Sequence, residues 1–136
     1  LVENLTKRLE MARDYNKYPL GKKQEELLAK YQIDLDRRYG NNIPRGWIPM
    51  LEQIFVKLIE AGWDRKVLQI KEKFGGLRFY FNPNVEGLDE IIREYDTSDK
   101  ICYFCGKPST KTIDGWISYR CDEHSGSNWR DFENDE

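Results

Sequence analysis

A chain of 136 residues with a net charge of −2 and a pI near 5.6 suits one domain, or one domain with a small appended module, and gives no global sign of a nucleic-acid binder. Hydrophobic residues at 39% and aromatics at 13%, including four Trp and eight Tyr, allow a core, while 34% charged residues and a mean hydropathy of −0.80 imply a well-solvated surface. No apolar run approaches the roughly 18 residues a membrane helix needs. The N-terminal Leu1-Val2-Glu3-Asn4-Leu5 stretch lacks a signal-peptide core, and three cysteines without an export signal suit a reducing, cytoplasmic setting.

Val2, Leu5, Leu9, Ala12 and Tyr15 recur at helical spacing and predict an amphipathic helix over 2–16, broken by Pro19-Leu20-Gly21. Leu27, Leu28, Tyr31, Leu35 and Tyr39 then share one face of a second predicted helix, stopped by Gly40-Asn41-Asn42. Pro44-Arg45-Gly46 forms a turn into the most apolar segment, a third helix over about 47–60, with Gly62 placed as its C-terminal cap. After Trp63 the period changes from helical to two. Leu68, Ile70 and Phe74 alternate with Gln69, Lys71 and Lys73, and Leu77, Phe79 and Phe81 follow Gly75-Gly76. This predicts an antiparallel hairpin, about 66–74 and 77–82, turning on the two glycines and ended by Asn82-Pro83-Asn84. A fourth helix over about 86–96 delivers the chain to its first cysteine.

The densest chemistry lies in Cys102-x-x-Cys105-Gly106 … Cys121-x-x-His124, which contains every cysteine and the sole histidine. Pairs of ligands separated by two residues, with fifteen between the pairs, have the spacing of a zinc ribbon with His as the fourth ligand. The tight Cys-x-x-Cys-Gly turn brings two thiolates to one point. A hairpin across Asp114-Gly115 returns the chain so that Cys121 and His124 close the other half. Three thiolates and one neutral imidazole satisfy a tetrahedral Zn²⁺ without a catalytic water. A redox dithiol would leave Cys121 and His124 unexplained. A disulfide framework does not suit an odd cysteine count, the deaminase motif runs in the opposite order, and the metalloprotease helix requires two histidines. The expected cofactor is therefore a structural Zn²⁺. About 10–16 kcal/mol of apparent binding free energy is typical of such sites and would fold a segment too small to fold alone.

With the histidine committed, acid–base chemistry would fall to carboxylates such as Asp64 or Glu72, which read more simply as surface charge, as does Glu123. The hairpin carries Arg65, Lys66, Lys71, Lys73 and Arg78 against Asp64 and Glu72. Alternation places Leu77, Phe79 and Phe81 in the core and leaves Lys71, Lys73, Arg78 and Tyr80 on a wet face. That face is either ordinary solvated sheet or a candidate binding face for a phosphate backbone.

Lys71-Glu-Lys-Phe-Gly-Gly-Leu-Arg-Phe-Tyr80, followed by Cys102-x-x-Cys105-Gly106, Gly115-Trp116 and Cys121-x-x-His124, resembles a group of small, largely uncharacterised bacteriophage and bacterial proteins that share this string and the downstream ligand pairs. The resemblance runs from Gly62-Trp63 to His124. It implies a small accessory protein with a metal-stabilised end, and carries no established activity.

The expectation is an α+β fold: N-terminal helices, a central antiparallel β-hairpin packed on helices, and a C-terminal zinc ribbon. Residues 1–100 would form the helical α+β part, 101–124 the ribbon and 125–136 an acidic tail. The expected function is a non-enzymatic protein that binds another macromolecule, first of all a protein, such as a host factor or defence enzyme if the resemblance holds. A nucleic-acid-binding module using the basic hairpin is the alternative, and a carboxylate enzyme the third reading.

Overall fold

The computed structural model describes residues 20–81, 86–109, 111–113 and 118–124. The helix expected over 2–16, the Asn82-Pro83-Asn84 stop, the Asp114-Gly115 turn and the acidic tail with Trp129 and Phe132 lie outside these residues.

Helix α1 spans Lys22–Lys30 and buries Leu27 and Leu28. It does not run on to Tyr39. Gln32 turns left-handed at φ 52, donating its amide to the Ala29 carbonyl (3.1 Å) while Ile33 donates to Leu28 (2.8 Å). This is a Schellman ending with Gln where glycine is usual. The next residues are claimed by a sheet: Asp34–Leu35 forms strand β1, parallel to strand β2 (Lys66–Lys73), with Leu35 opposite Val67. Leu35 is thus buried by strand pairing, and Tyr39 is exposed. Asn41, read from sequence as part of a helix stop, is buried. Its Oδ1 accepts from the Ile70 amide at 2.9 Å, and Asn42 donates to the Ile70 carbonyl at 3.0 Å. A side-chain amide thereby carries the pairing past the point where β1 ends.

A 3₁₀ turn over Arg45–Trp47 leads directly into helix α2, Ile48–Glu60. Met50, Leu51, Ile54, Phe55 and Leu58 form its buried face, and Pro49 is tolerated in the first turn because its missing N–H has no helical partner there. Gly62, at φ 91, caps the helix as the sequence predicts, with Trp63 donating to Leu58 and Gly62 to Ile59, both at 3.0 Å.

Strand β3, Gly76–Phe81, pairs antiparallel with β2. The turn sits one residue earlier than the glycine pair suggests: Phe74 (φ 54) and Gly75 (φ 82) are its central residues, and Gly76 already pairs with Lys73. Two left-handed residues give the type I′ geometry that matches strand twist, so Phe74 leaves the expected core face and is 69% exposed. A bulge between Val67 and Gln69 also breaks the predicted alternation in β2, burying Val67 with Ile70 and leaving Leu68 only half-buried. On β3 the alternation holds, with Leu77, Phe79 and Phe81 buried.

These side chains meet α2 and Trp63 in an aromatic cluster. Ring centroids lie 6.1 Å apart for Phe55–Phe79, 6.1 Å for Trp63–Phe81 and 5.1 Å for Phe79–Phe81. Helix α3, Leu88–Tyr95, adds Leu88 and Ile92 to the same core. Ser98 follows it; its buried hydroxyl accepts from the Leu77 amide at 3.1 Å and donates to Asp96 at 2.6 Å. The chain is thus an α+β fold with helices packed on a central sheet and a Cys/His cluster toward its C-terminal end. Among the described residues no helix is long and apolar enough to cross a membrane.

Candidate metal centre

The first ligand pair sits on a closed loop. An Ile101–Pro108 bridge closes its base, Cys102 donates to the Lys107 carbonyl at 2.7 Å, and Gly106 donates to the Cys102 carbonyl at 2.9 Å. Gly106 takes φ 78, the left-handed conformation that lets the loop close this tightly. The second pair follows a short hairpin of strands β4 (Lys111–Ile113) and β5 (Ser118–Arg120), after which a 3₁₀ turn over Asp122–His124 carries the histidine back. Tyr103 donates to the Tyr119 carbonyl at 2.8 Å, and Ser109 Oγ donates to the Arg120 carbonyl at 3.2 Å, joining the two halves.

The four donors converge. Cys102 Sγ, Cys105 Sγ, Cys121 Sγ and a ring nitrogen of His124 all lie within 4.8 Å of one another. Cys105 Sγ is 3.6 Å from Cys121 Sγ, while His124 Nδ1 is 3.6 Å from Cys102 Sγ and 3.2 Å from Cys121 Sγ. A tetrahedron with zinc–sulfur bonds of about 2.3 Å and zinc–nitrogen bonds of about 2.0–2.1 Å has edges of roughly 3.6–3.8 Å. The cluster fits a Cys₃His structural Zn²⁺ site bound through Nδ1, and the four donors leave no coordination position for a reacting water. When bound, zinc supplies a fixed cross-link among the four side chains.

The surroundings hold the ligands in place. Cys102 and Cys121 are buried and Cys105 stands at the exposed rim. The Phe104 amide donates to Cys102 Sγ at 3.4 Å. Although burial pushes the Cys102 thiol up, amides of Cys121, Cys105 and Phe104 together hold it below its ordinary value. Cys105 is pushed up to about 11, by desolvation first and then by the neighbouring thiols. The Phe104 ring lies 5.7 Å from the His124 ring and carries the Arg120 guanidinium at 4.9 Å.

The loop is seated on the core. Gly46, in the turn before α2, donates to the Tyr103 carbonyl at 3.0 Å. A Cβ at position 46 would stand 2.1 Å from the Cys102 carbonyl oxygen and 2.7 Å from the Gly106 nitrogen, so only glycine admits this approach. Trp47, fully buried, meets Tyr103 edge-on at 6.3 Å. By its sequence context Gly46 is only part of a turn. A glycine directly before a core tryptophan was the available hint, but its partners lie more than fifty residues away.

The residues of the candidate binding face fall together on the outer side of the hairpin. Lys71 stands opposite Arg78, Tyr80 opposite Gln69, and Lys73 opposite Gly76. The carboxylates considered for catalysis serve local structure: Asp64 Oδ1 accepts from the Lys66 amide at 3.0 Å, Glu72 Oε1 accepts from Gly75 at 2.8 Å, and Glu123 faces Lys107 at 3.7 Å. No protein-family model, curated protein or solved structure matches the chain.

Proposed function

We propose that this chain is a non-enzymatic accessory protein, of bacteriophage or bacterial origin and cytoplasmic, that acts by binding another macromolecule. Its C-terminal zinc ribbon serves as a clasp. The observation that carries this reading is the closure of the metal shell: four converging donors use every cysteine and the sole histidine, leaving neither an open metal position nor a histidine for acid–base work. The local engagement of Asp64, Glu72 and Glu123 supports it further.

X-ray absorption at the zinc edge tests the clasp. The expected result is one zinc per chain with three sulfur neighbours and one nitrogen. A coordinated oxygen in place of one sulfur would mark an open, reactive centre and overturn the reading. Cys105→Ser should abolish stoichiometric zinc and lower thermal stability, whereas a redox dithiol would tolerate it.

The acidic overall balance suits a protein partner. A second reading, an anionic partner, has a specific surface behind it in the outer face of the β2–β3 hairpin, where Lys71, Lys73 and Arg78 gather.

A further inference from the structure

Two features of the hairpin burden the fold. Phe74 occupies the first central position of the type I′ turn at φ 54, a conformation that favours Asn, Asp or Gly over a bulky side chain. Lys71 stands directly opposite Arg78, and like charges facing one another across an antiparallel pair repel. Lys73 extends the same face. Glu72 alternates onto the other face, opposite Leu77, with one carboxylate oxygen taken by the Gly75 amide. Among the described residues Lys71 and Lys73 have no ion pair, and Arg78 Nη1 reaches only the Leu77 carbonyl, at 3.2 Å.

The aromatic groups of this hairpin are also turned outward. Phe74 is 69% exposed and Tyr80 43%. Lys73 Nζ lies 5.6 Å from the centre of the Phe74 ring, placing a cation beside an open π-face. Gly76 to Tyr80 spans four residues of strand, about 13 Å. Tyr80 stands at one end of that length and the turn that carries Phe74 lies just beyond the other, with three cations between and beside the two rings. The turn geometry demands a left-handed residue at position 74 but not a phenylalanine, and the sheet does not demand two facing cations. A bulky ring at the turn and a like-charged pair gathered on one face therefore point to a use beyond folding.

We propose that the outer face of the hairpin, formed by Lys71, Lys73 and Arg78 with Phe74 and Tyr80, is a docking surface for single-stranded nucleic acid. The proposal rests on the macromolecule-binding reading above, takes its second form, the anionic partner, and names that partner's class. Phosphates neutralise the Lys71–Arg78 repulsion, and unstacked bases lie on the Phe74 and Tyr80 rings. An acidic peptide would satisfy the cations but leave the rings unused. The site is local, so the net charge of −2 does not oppose it.

The test uses the full zinc-loaded chain and a fluorescent oligothymidylate, with anisotropy measured across a salt series. Three phosphate contacts predict a log–log salt slope of about −2. Two substitutions separate binding from folding. Lys71→Glu places opposite charges across the pair and should raise the melting temperature while lowering affinity more than about tenfold. Phe74→Asn supplies a residue the turn prefers, so it should also stabilise, lower affinity about tenfold and leave the salt slope unchanged. Absence of binding at low salt, salt-independent binding, or variants that bind as tightly as the parent would overturn the proposal. Equal competition by polyglutamate would reassign the face to an acidic protein and overturn it as well. Zinc content read in the same samples keeps the two readings apart: loss of oligonucleotide binding with an intact Cys₃His centre removes this proposal alone.

Discussion

Cys105 is the ligand at the exposed rim of the cluster. Without metal its thiol is pushed up to about 11 by desolvation and then by its neighbours, so it is protonated at neutral pH. Zinc binds the thiolate, and uptake must therefore displace that proton. Affinity therefore rises with pH, and falls as the medium is acidified, by about tenfold per pH unit for each proton displaced. Competition against a chromophoric chelator at several pH values should show this slope; a flat profile would count against thiolate ligation. The ligands themselves were legible from spacing, since Cys-x-x-Cys and Cys-x-x-His have few other uses. The left-handed residues Gln32 and Phe74 were not. Neither belongs to a type that favours positive φ, so only the surrounding hydrogen bonds reveal that the chain turns there.

The elements show where periodicity stops being a guide. The run from Leu27 to Tyr39 fits one helix face, yet the chain leaves the helix after Lys30, where Arg65, just before β2, and Val67 within it accept from the Asp34 and Asp36 amides. In the hairpin, the bulge between Val67 and Gln69 buries two residues three apart, which no simple alternation produces. The helix over Ile48–Glu60 and its Gly62 cap were readable because a wide apolar face and a terminal glycine agree. The junction between the metal loop and α2 makes the strongest prediction at this scale. Gly46→Ala drives a methyl into the Cys102 carbonyl, 2.1 Å from its ideal position. The loop must then shift, at a cost of about 1–3 kcal/mol, and zinc affinity should fall although no ligand has changed. Denaturant unfolding and chelator competition on the same variant check both; unchanged zinc affinity would show that the loop is seated independently of this turn.

At the scale of the molecule, the described residues gather into two apolar clusters of unequal size. The larger joins α1, α2, α3 and the sheet, whereas the smaller consists of Cys102, Phe104 and Cys121 with Tyr103 packed against it. Among the described residues the larger has enough buried side chains to persist alone, whereas the smaller has few, and its order is expected to depend on the metal. Chelation should therefore strip hydrogen-exchange protection from the amides of Cys102, Tyr103 and Gly106, and leave that of β2 and of the middle of α2 in place. Simultaneous loss of protection everywhere would mean that the zinc holds the entire fold together.

Sequence by itself determined the ligand set, the apolar helix, the inward face of β3 and the α+β class. Each depends on spacing along a single segment, and local geometry turns spacing into position. Only the tertiary structure decided where the second helix ends, which residues form the hairpin turn, and that Gly46 receives the metal loop. The hairpin turn comes from the register of β2 against β3, and the other two from hydrogen bonds and close contacts between residues about thirty to sixty positions apart. Such contacts have no periodicity to betray them, and they override local preference wherever a buried amide needs a partner.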